Sequence, residues 1–508
     1  MRNTHRGAAI LALTMTGALL SGTGWAHGPD NAADIPQAHT SADAISDQVS
    51  DGFELVGHSP LNSRGMNAGL AVHDGYAYVG SRTDGQPQHR TPGILVVDVN
   101  DPSQPKVVHE IGPPDAALVG ETSRELRVWP QQDLLMVLNF GCSSLIHACV
   151  GSENVEPRVT FFDISGENAA KPQLVSTYRP SRTPHEFYLW VDPARPSKRA
   201  LLFQSTPTSS TTSPSMIVTD ISGARKGNFT EHPWTATFEA GTFPNGEEED
   251  RRLHSMGVST DGRRAYLAFL GSGFLVLGTS EVAAGRPDPE MELVTPPENR
   301  VSWSNPGAHS AVKIPGKDAA FTTDEVYGDS LDALGPHGCP WGWARTIDIS
   351  NERTPQLTAE YRVEENQPEY CESGEGSDPA NTTFTSYSAH NPTLTPNLAF
   401  VSWHSGGLEA IDISDPAAPV RAGKFKPEPL ESVATEDPAL SMGPDKVVMW
   451  SYPIIDAGLV YVADIRNGLY ILRYTGENAK RVGGIDFLEG NSNLGDALRF
   501  EPGPRPRP

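Results

Sequence analysis

Gly93–Gly112 reads GILVVDVNDPSQPKVVHEIG: an apolar run closed by an Asp, an Asn, a Pro shortly after, and a second strand-like run. The phrase recurs along the chain. Arg158–Tyr178 (RVTFFDISGENAAKPQLVSTY), Ser215–Ser222 (SMIVTDIS), Ala344–Tyr361 (ARTIDISNERTPQLTAEY) and Gly407–Phe425 (GLEAIDISDPAAPVRAGKF) are copies, while Gly273–Ser280 (GFLVLGTS) and Gly468–Gly476 (GLYILRYTG) lack the Asp. Before each phrase stands a strand, a tight turn and a second strand. Leu70–Ser81 (LAVHDGYAYVGS), Val258–Phe269, Thr393–Trp403 and Ile454–Asp464 show it, with Asp-Gly, Pro-Asn or Ala-Gly at the turn, as hairpins demand. Internal repetition of this kind outranks a length-based domain count, which would suggest about three domains.

Four short strands recurring every 55 to 81 residues predict an all-β, seven-bladed β-propeller of four-stranded antiparallel blades. The blades begin near Asn67, Glu125, His185, His254, His309, His390 and Trp450. The ring needs a closing strand. Phe53–Ser59 (FELVGHS) looks like an outer strand yet precedes the first blade, so it is expected to complete the last one, with Lys480–Phe487 as the alternative. Composition agrees with this class: 48 Gly and 44 Pro suit a turn-rich β protein and exclude coiled coils and long helical bundles.

The repeated phrase resembles the LVIVD-repeat family of secreted bacterial β-propellers, named for its apolar-Asp strand. That resemblance implies the fold and leaves the activity open, because propellers host many functions. Residues 1–26 read as a secretory signal peptide: a basic start, an apolar stretch too short to span a bilayer, and a small-x-small site at Gly24-Trp-Ala26. Residues 27–50 are expected to be a flexible segment, 51–490 the propeller, and 491–508 a disordered Pro-rich tail. The reading is of an exported protein, periplasmic or extracellular, without membrane insertion, and a monomer. Removing the signal, with Arg2 and Arg6, takes the formal net charge from −24 to −26. Such an acidic chain makes nucleic acid and anionic membranes unfavourable partners.

Aligning the blades on their hairpins places Asn67, Glu125, His185, His254, His309, His390 and Trp450 at one level, where the first strands start at the axial mouth. Four consecutive blades thus present His, in a chain with only 15 His in 508 residues. A single polar axis residue is ordinarily a cap bonding the neighbouring backbone. Four converging imidazoles with a carboxylate nearby are how proteins hold one transition-metal ion, here Fe, Cu, Mn or Zn. His185, His254, His309 and His390 are the expected ligands, with Glu125 a fifth ligand, an orienting partner or a catalytic group. Glu186 is expected to point to the other side of its strand. The ring also resembles, as an analogy of inner-strand histidines, the four-His iron centre of carotenoid-cleaving oxygenases and the His-rich centre of selenium-binding proteins and methanethiol oxidase.

The long connections Phe140–Pro157, Val326–Trp343, Glu364–Ser388 and Lys424–Lys446 all emerge over this mouth and are expected to shape a pocket. His404, Asp324, Glu325, His337 and Trp341 lie on or near them and could line that pocket; His404 is a candidate acid or base. Trp303, Trp341, Trp343 and Trp403 would supply an aromatic wall, and Glu247–Asp250 a solvated acidic loop. All four cysteines fall in these loops, which predicts Cys142–Cys149 and Cys339–Cys371 disulfides in an exported protein. No G-x-S-x-G, Walker or HExxH motif occurs. The reading favours a metal-dependent oxidoreductase or oxygenase acting on a small organic substrate. A non-catalytic envelope-binding scaffold, or a Zn-dependent hydrolase or lyase, are the alternatives.

Overall fold

The computed structural model describes residues 48–144, 146–149, 155–241, 250–303, 307–329 and 338–495. The expected signal peptide, nearly all of 27–50, Glu247–Glu249, His337 and the last thirteen residues lie outside them. No helix among the described residues is long and apolar enough to cross a membrane.

The repeated phrase forms strands because both of its faces are buried. In Ile94–Asp98, Ile94 and Val96 pack with Leu126, Val128, Leu135 and Val137 of the second repeat. Leu95 and Val97, on the opposite face, pack with Ile454, Tyr461, Leu469 and Ile471 of the last. Successive side chains therefore serve two cores, one on each side of the sheet, and the run reads as continuously apolar rather than alternating. Burial of both faces is what stacks sheet against sheet around the axis.

The sheet count corrects the expectation of seven separate four-stranded blades. The described strands form three four-stranded sheets, two five-stranded sheets and one of eight strands. Five sheets are therefore blade-sized, and the eight-stranded one joins the strands of the first two repeats. The join is a ladder contact of Ser81 with Ser123. Glycine permits it: a Cβ at Gly80 would lie 2.2 Å from the Ser123 carbonyl oxygen, and one at Gly69 2.4 Å from that of Arg124. With hydrogens there instead, the two backbones approach closely enough to pair.

The two five-stranded sheets gain their extra strands from the chain ends. Phe53–Ser59 pairs antiparallel with Gly468–Tyr474, so the N-terminal closing strand is the one used. Lys480–Phe487, the alternative, is instead mostly a short helix and turn, and Phe487–Glu489 pairs with Ile454–Asp456 on the other edge of that sheet. Val49–Asp51 adds to Val420–Lys426, so strand structure begins before the expected boundary at residue 51. At the other end, Asn491–Gly495 is not a loose tail. Leu189 N–H donates to the Asn491 carbonyl (3.0 Å), and Val191 N–H to Asn493 Oδ1 (2.7 Å).

Phe53 anchors the closing strand: it is buried, with its ring 5.3 Å from Tyr474 and 6.2 Å from Phe400. Phe53→Ala is expected to destabilise the protein by about 3–5 kcal/mol in urea unfolding, as a large core truncation at a sheet junction.

Candidate metal centre

The strand ladder explains why histidines reach the axis. In Leu253–Val258 the pairing skips from Leu253 to Ser255, and in Ala308–Lys313 from Ala308 to Ser310. His254 and His309 are thus the unpaired residues of two bulges, and a bulge re-aims its side chain. His185 and His390 stand just ahead of Phe187–Val191 and Pro392–Leu394, where His185 N–H bonds the Ser205 carbonyl and His390 N–H that of Ser402. The four rings follow one another: His185 to His254 4.4 Å, His254 to His309 4.0 Å, His309 to His390 4.3 Å between centroids. A fifth, His404, lies 5.1 Å from His390.

The rest of the expected ring differs. In Glu121–Trp129 the ladder skips from Ser123 to Glu125, so the bulged residue is Arg124. A one-residue bulge is invisible to alignment on the hairpin and exchanges the faces. Glu125 is buried in an ion pair with Arg127 (2.9 Å) and is not in any of the convergent groups below. Asn67 bonds Arg64 and the Ile465 carbonyl, tying the first repeat to the last. Trp450 is a wedge rather than a ligand: its ring lies 3.9 Å from His390, parallel to His404 at 5.3 Å, and 4.1 Å from the Arg82 guanidinium carbon.

Two carboxylates complete the cluster. Glu186 precedes the regular strand, so strict alternation does not govern it, and its Oε1 lies 3.7 Å from His309 Nε2. That overturns the expectation that it faces away. Glu325 directly follows Ala319–Asp324; its Oε1 is 3.4 Å from His390 Nε2 and 3.6 Å from His404 Nε2, and its Oε2 is 3.5 Å from His309 Nε2. Three overlapping triads have ligand atoms within 4.8 Å of one another: His185–Glu186–His254, His254–His309–Glu325 and Glu325–His390–His404.

Hydrogen bonding shows which atoms are left over. His390 Nδ1 donates to the Trp450 carbonyl (2.7 Å), His309 Nδ1 bonds Ser310 Oγ (2.8 Å), and His404 Nδ1 bonds Ser386 Oγ (2.9 Å). Each outer nitrogen is held and the inner one is presented, the arrangement of metal-ligating imidazoles. His185 Nε2, His254 Nδ1, the Nε2 atoms of His309, His390 and His404, and Oε1 of Glu186 and Glu325 are all buried without a hydrogen-bond partner. An unpaired buried polar atom costs about 1–3 kcal/mol, so seven in one place require an explanation.

Electrostatics sharpens the point. Burial drives His254 and His404 down to about 3 and holds His185, His309 and His390 well below the ordinary value, so all five rings are neutral at pH 7. A carbonyl can only accept, so His390 Nδ1 carries the proton and its Nε2 lone pair faces the Glu325 carboxylate. Two acceptors at that distance need a cation or a proton between them. Burial raises Glu325 to about 6, which leaves it mostly ionised at pH 7; burial, then the Glu125 carboxylate, holds Glu186 well above the ordinary carboxylate value. Arg124, 7 % exposed, faces the cluster with its Nε unpaired and its guanidinium carbon 5.7 Å from the Trp450 ring centroid. Imidazoles with carboxylates are a donor set for transition metals rather than for Mg or Ca.

Among the described residues, the centre is buried rather than open to a pocket at the mouth. Side chains of Glu186, His309, Glu325, His390 and His404 are at most 7 % exposed. An open cavity of about 720 Å³ lies at the other end of the same strands, lined by Tyr188, Thr260, Arg264, Lys313, Glu352 and Leu488 among others. The expected aromatic residues hold the loops: Trp403 Nε1 bonds the Tyr387 carbonyl, Trp341 packs edge-on to Tyr387, and Trp303 and Trp343 stack on Arg345. Asp324 is buried in an ion pair with Arg345 and accepts from Trp303 Nε1. Cys142–Cys149 and Cys339–Cys371 are disulfides, as the spacing suggested.

Behind Trp450, Arg82 pairs with Asp437 (3.2 Å) and its Nη2 lies 2.9 Å from His147 Nδ1. Burial, then Arg82, lowers His147 to about 4 against the opposing pull of Asp437; Arg124 also opposes its protonation. A depressed histidine favours the folded state fully above pH 6.5, and that contribution is lost as pH falls toward 4. Stability is therefore expected to fall by about 3 kcal/mol across this window on account of His147, and His147→Gln to flatten that part of the pH profile of urea unfolding.

The LVIVD repeat family model matches residues 64–111 and 393–426, the first repeat and the one carrying His404. The matched segments carry the LVIVD repeat, and the antiparallel sheets around one axis are those of a β-propeller. No curated protein matches it. Its class is therefore a propeller with a buried His/Glu cluster able to hold metal.

Proposed function

We propose that the protein is an exported, monomeric propeller whose axial centre binds a transition metal and performs redox chemistry on a small organic molecule. The observation that carries the reading is the convergence of seven buried, unpartnered ligand atoms. His185, His254, His309, His390 and His404 supply neutral nitrogen donors, and Glu186 and Glu325 supply charge. A bound Fe or Cu would supply one-electron chemistry. The chain's own part is to fix the imidazoles through Trp450, Ser310 and Ser386, to exclude bulk water, and to hold a compensating cation, Arg124, beside the site.

A second reading, a metal-stabilised binding scaffold, draws support from the burial of the centre and from the open cavity at the far end of the strands. Reconstitution with Fe, Cu, Mn and Zn separately, followed by cycles of ascorbate and dioxygen under an optical probe, distinguishes the two. A bound metal that cycles reversibly supports the oxidoreductase. Uptake of Zn alone contradicts it and leaves the scaffold or a hydrolytic site.

A further inference from the structure

We infer that the centre holds two transition-metal ions side by side, bridged by Glu325. The inference rests on the metal-binding reading above and changes its stoichiometry from one ion to two.

A first-row ion takes its nitrogen and oxygen ligands at about 2.0–2.2 Å, so ligands of one ion lie within roughly 4 Å of each other. The ligand atoms here do not form one such set. They fall into three overlapping triads, and the outer two, His185–Glu186–His254 and Glu325–His390–His404, share no residue. A single ion in the middle triad, His254–His309–Glu325, would leave the unpartnered atoms of His185, Glu186, His390 and His404 as they are. Two ions, one in each outer triad, give a partner to every one of them. Each outer triad is itself two imidazoles and one carboxylate, a set that binds catalytic Zn or Fe with positions to spare.

The atoms between the triads suit a shared centre. Glu325 directs Oε1 at His390 and His404 and Oε2 at His309, so its two oxygens face opposite halves of the cluster. His309 Nε2 lies 3.7 Å from Glu186 and 3.5 Å from Glu325, between the carboxylates. Two-metal sites place their ions about 3.5–4 Å apart and need such bridging ligands.

The test loads the full chain with Zn2+ alone and with Cu2+ alone, removes unbound metal by gel filtration, and counts ions per chain by elemental mass spectrometry. Two per chain are expected. His185→Ala/Glu186→Gln and His390→Ala/His404→Ala should each retain one. One ion in the unaltered protein, absent from both variants, would overturn the pair and leave the metal reading standing; no ion in the unaltered protein would overturn both. Should the variants fail to fold by circular dichroism, electron paramagnetic resonance of the Cu2+-loaded unaltered chain decides. Loss of the isolated-ion signal as the second equivalent binds supports the pair, and an isolated-ion signal saturating at one equivalent overturns it.

Discussion

Metal-stripped protein is expected to gain about 4 kcal/mol of unfolding free energy when Cu2+ or Zn2+ is supplied at 1,000 times its dissociation constant. The gain follows from linkage: the folded chain presents converging donors, and the unfolded chain disperses them along residues 185 to 404. It also follows from the state of the apoprotein, in which seven buried atoms have no partner and the His390 lone pair faces a carboxylate at 3.4 Å. Urea unfolding with and without metal measures it directly. Mg2+ at the same concentration should do nothing, because a site with five imidazoles offers too few oxygen ligands.

Glu325→Gln should separate metal affinity from apoprotein stability. The amide keeps the shape of the side chain and removes the charge that three histidines share. Metal affinity is expected to fall by about 100-fold or more, beyond the 10–100-fold typical of removing an outer-shell partner. The apoprotein should become more stable by about 1 kcal/mol, since the new N–H can donate to the His390 or His404 nitrogen that now has no donor. Competition against a chelating dye gives the first quantity, and urea unfolding in chelator the second. Loss of both together would mean that Glu325 is a structural residue only.

The repeats were legible because the apolar-Asp phrase must bury both faces, and that leaves an unbroken pattern in sequence. The disulfides were legible from the even number of cysteines and their placement in loops. The merging of the first two repeats was not, because it depends on how closely two backbones pass at Gly69 and Gly80. Four histidines could be aligned since two occupy equivalent bulges and two stand at equivalent strand starts. The same alignment chose Glu125 where the ladder puts Arg124, because an inserted residue exchanges the faces without changing the strand pattern. Glu186 was misjudged for a related reason: alternation was applied to a residue just outside the strand. His404 and Glu325 were visible as polar residues at loop starts. Their convergence on the histidines depends on loop paths that no short-range pattern encodes.

The most direct measurement of the central claim is metal content, by elemental mass spectrometry, of the purified chain beside a His254→Ala/His309→Ala variant. These two histidines lie at the middle of the cluster, and His254 belongs to two of its triads. The expected result is stoichiometric Fe, Cu, Mn or Zn in the unaltered chain and its loss, in whole or large part, from the variant. Equal metal in both, or none in the unaltered chain even after reconstitution, would contradict it.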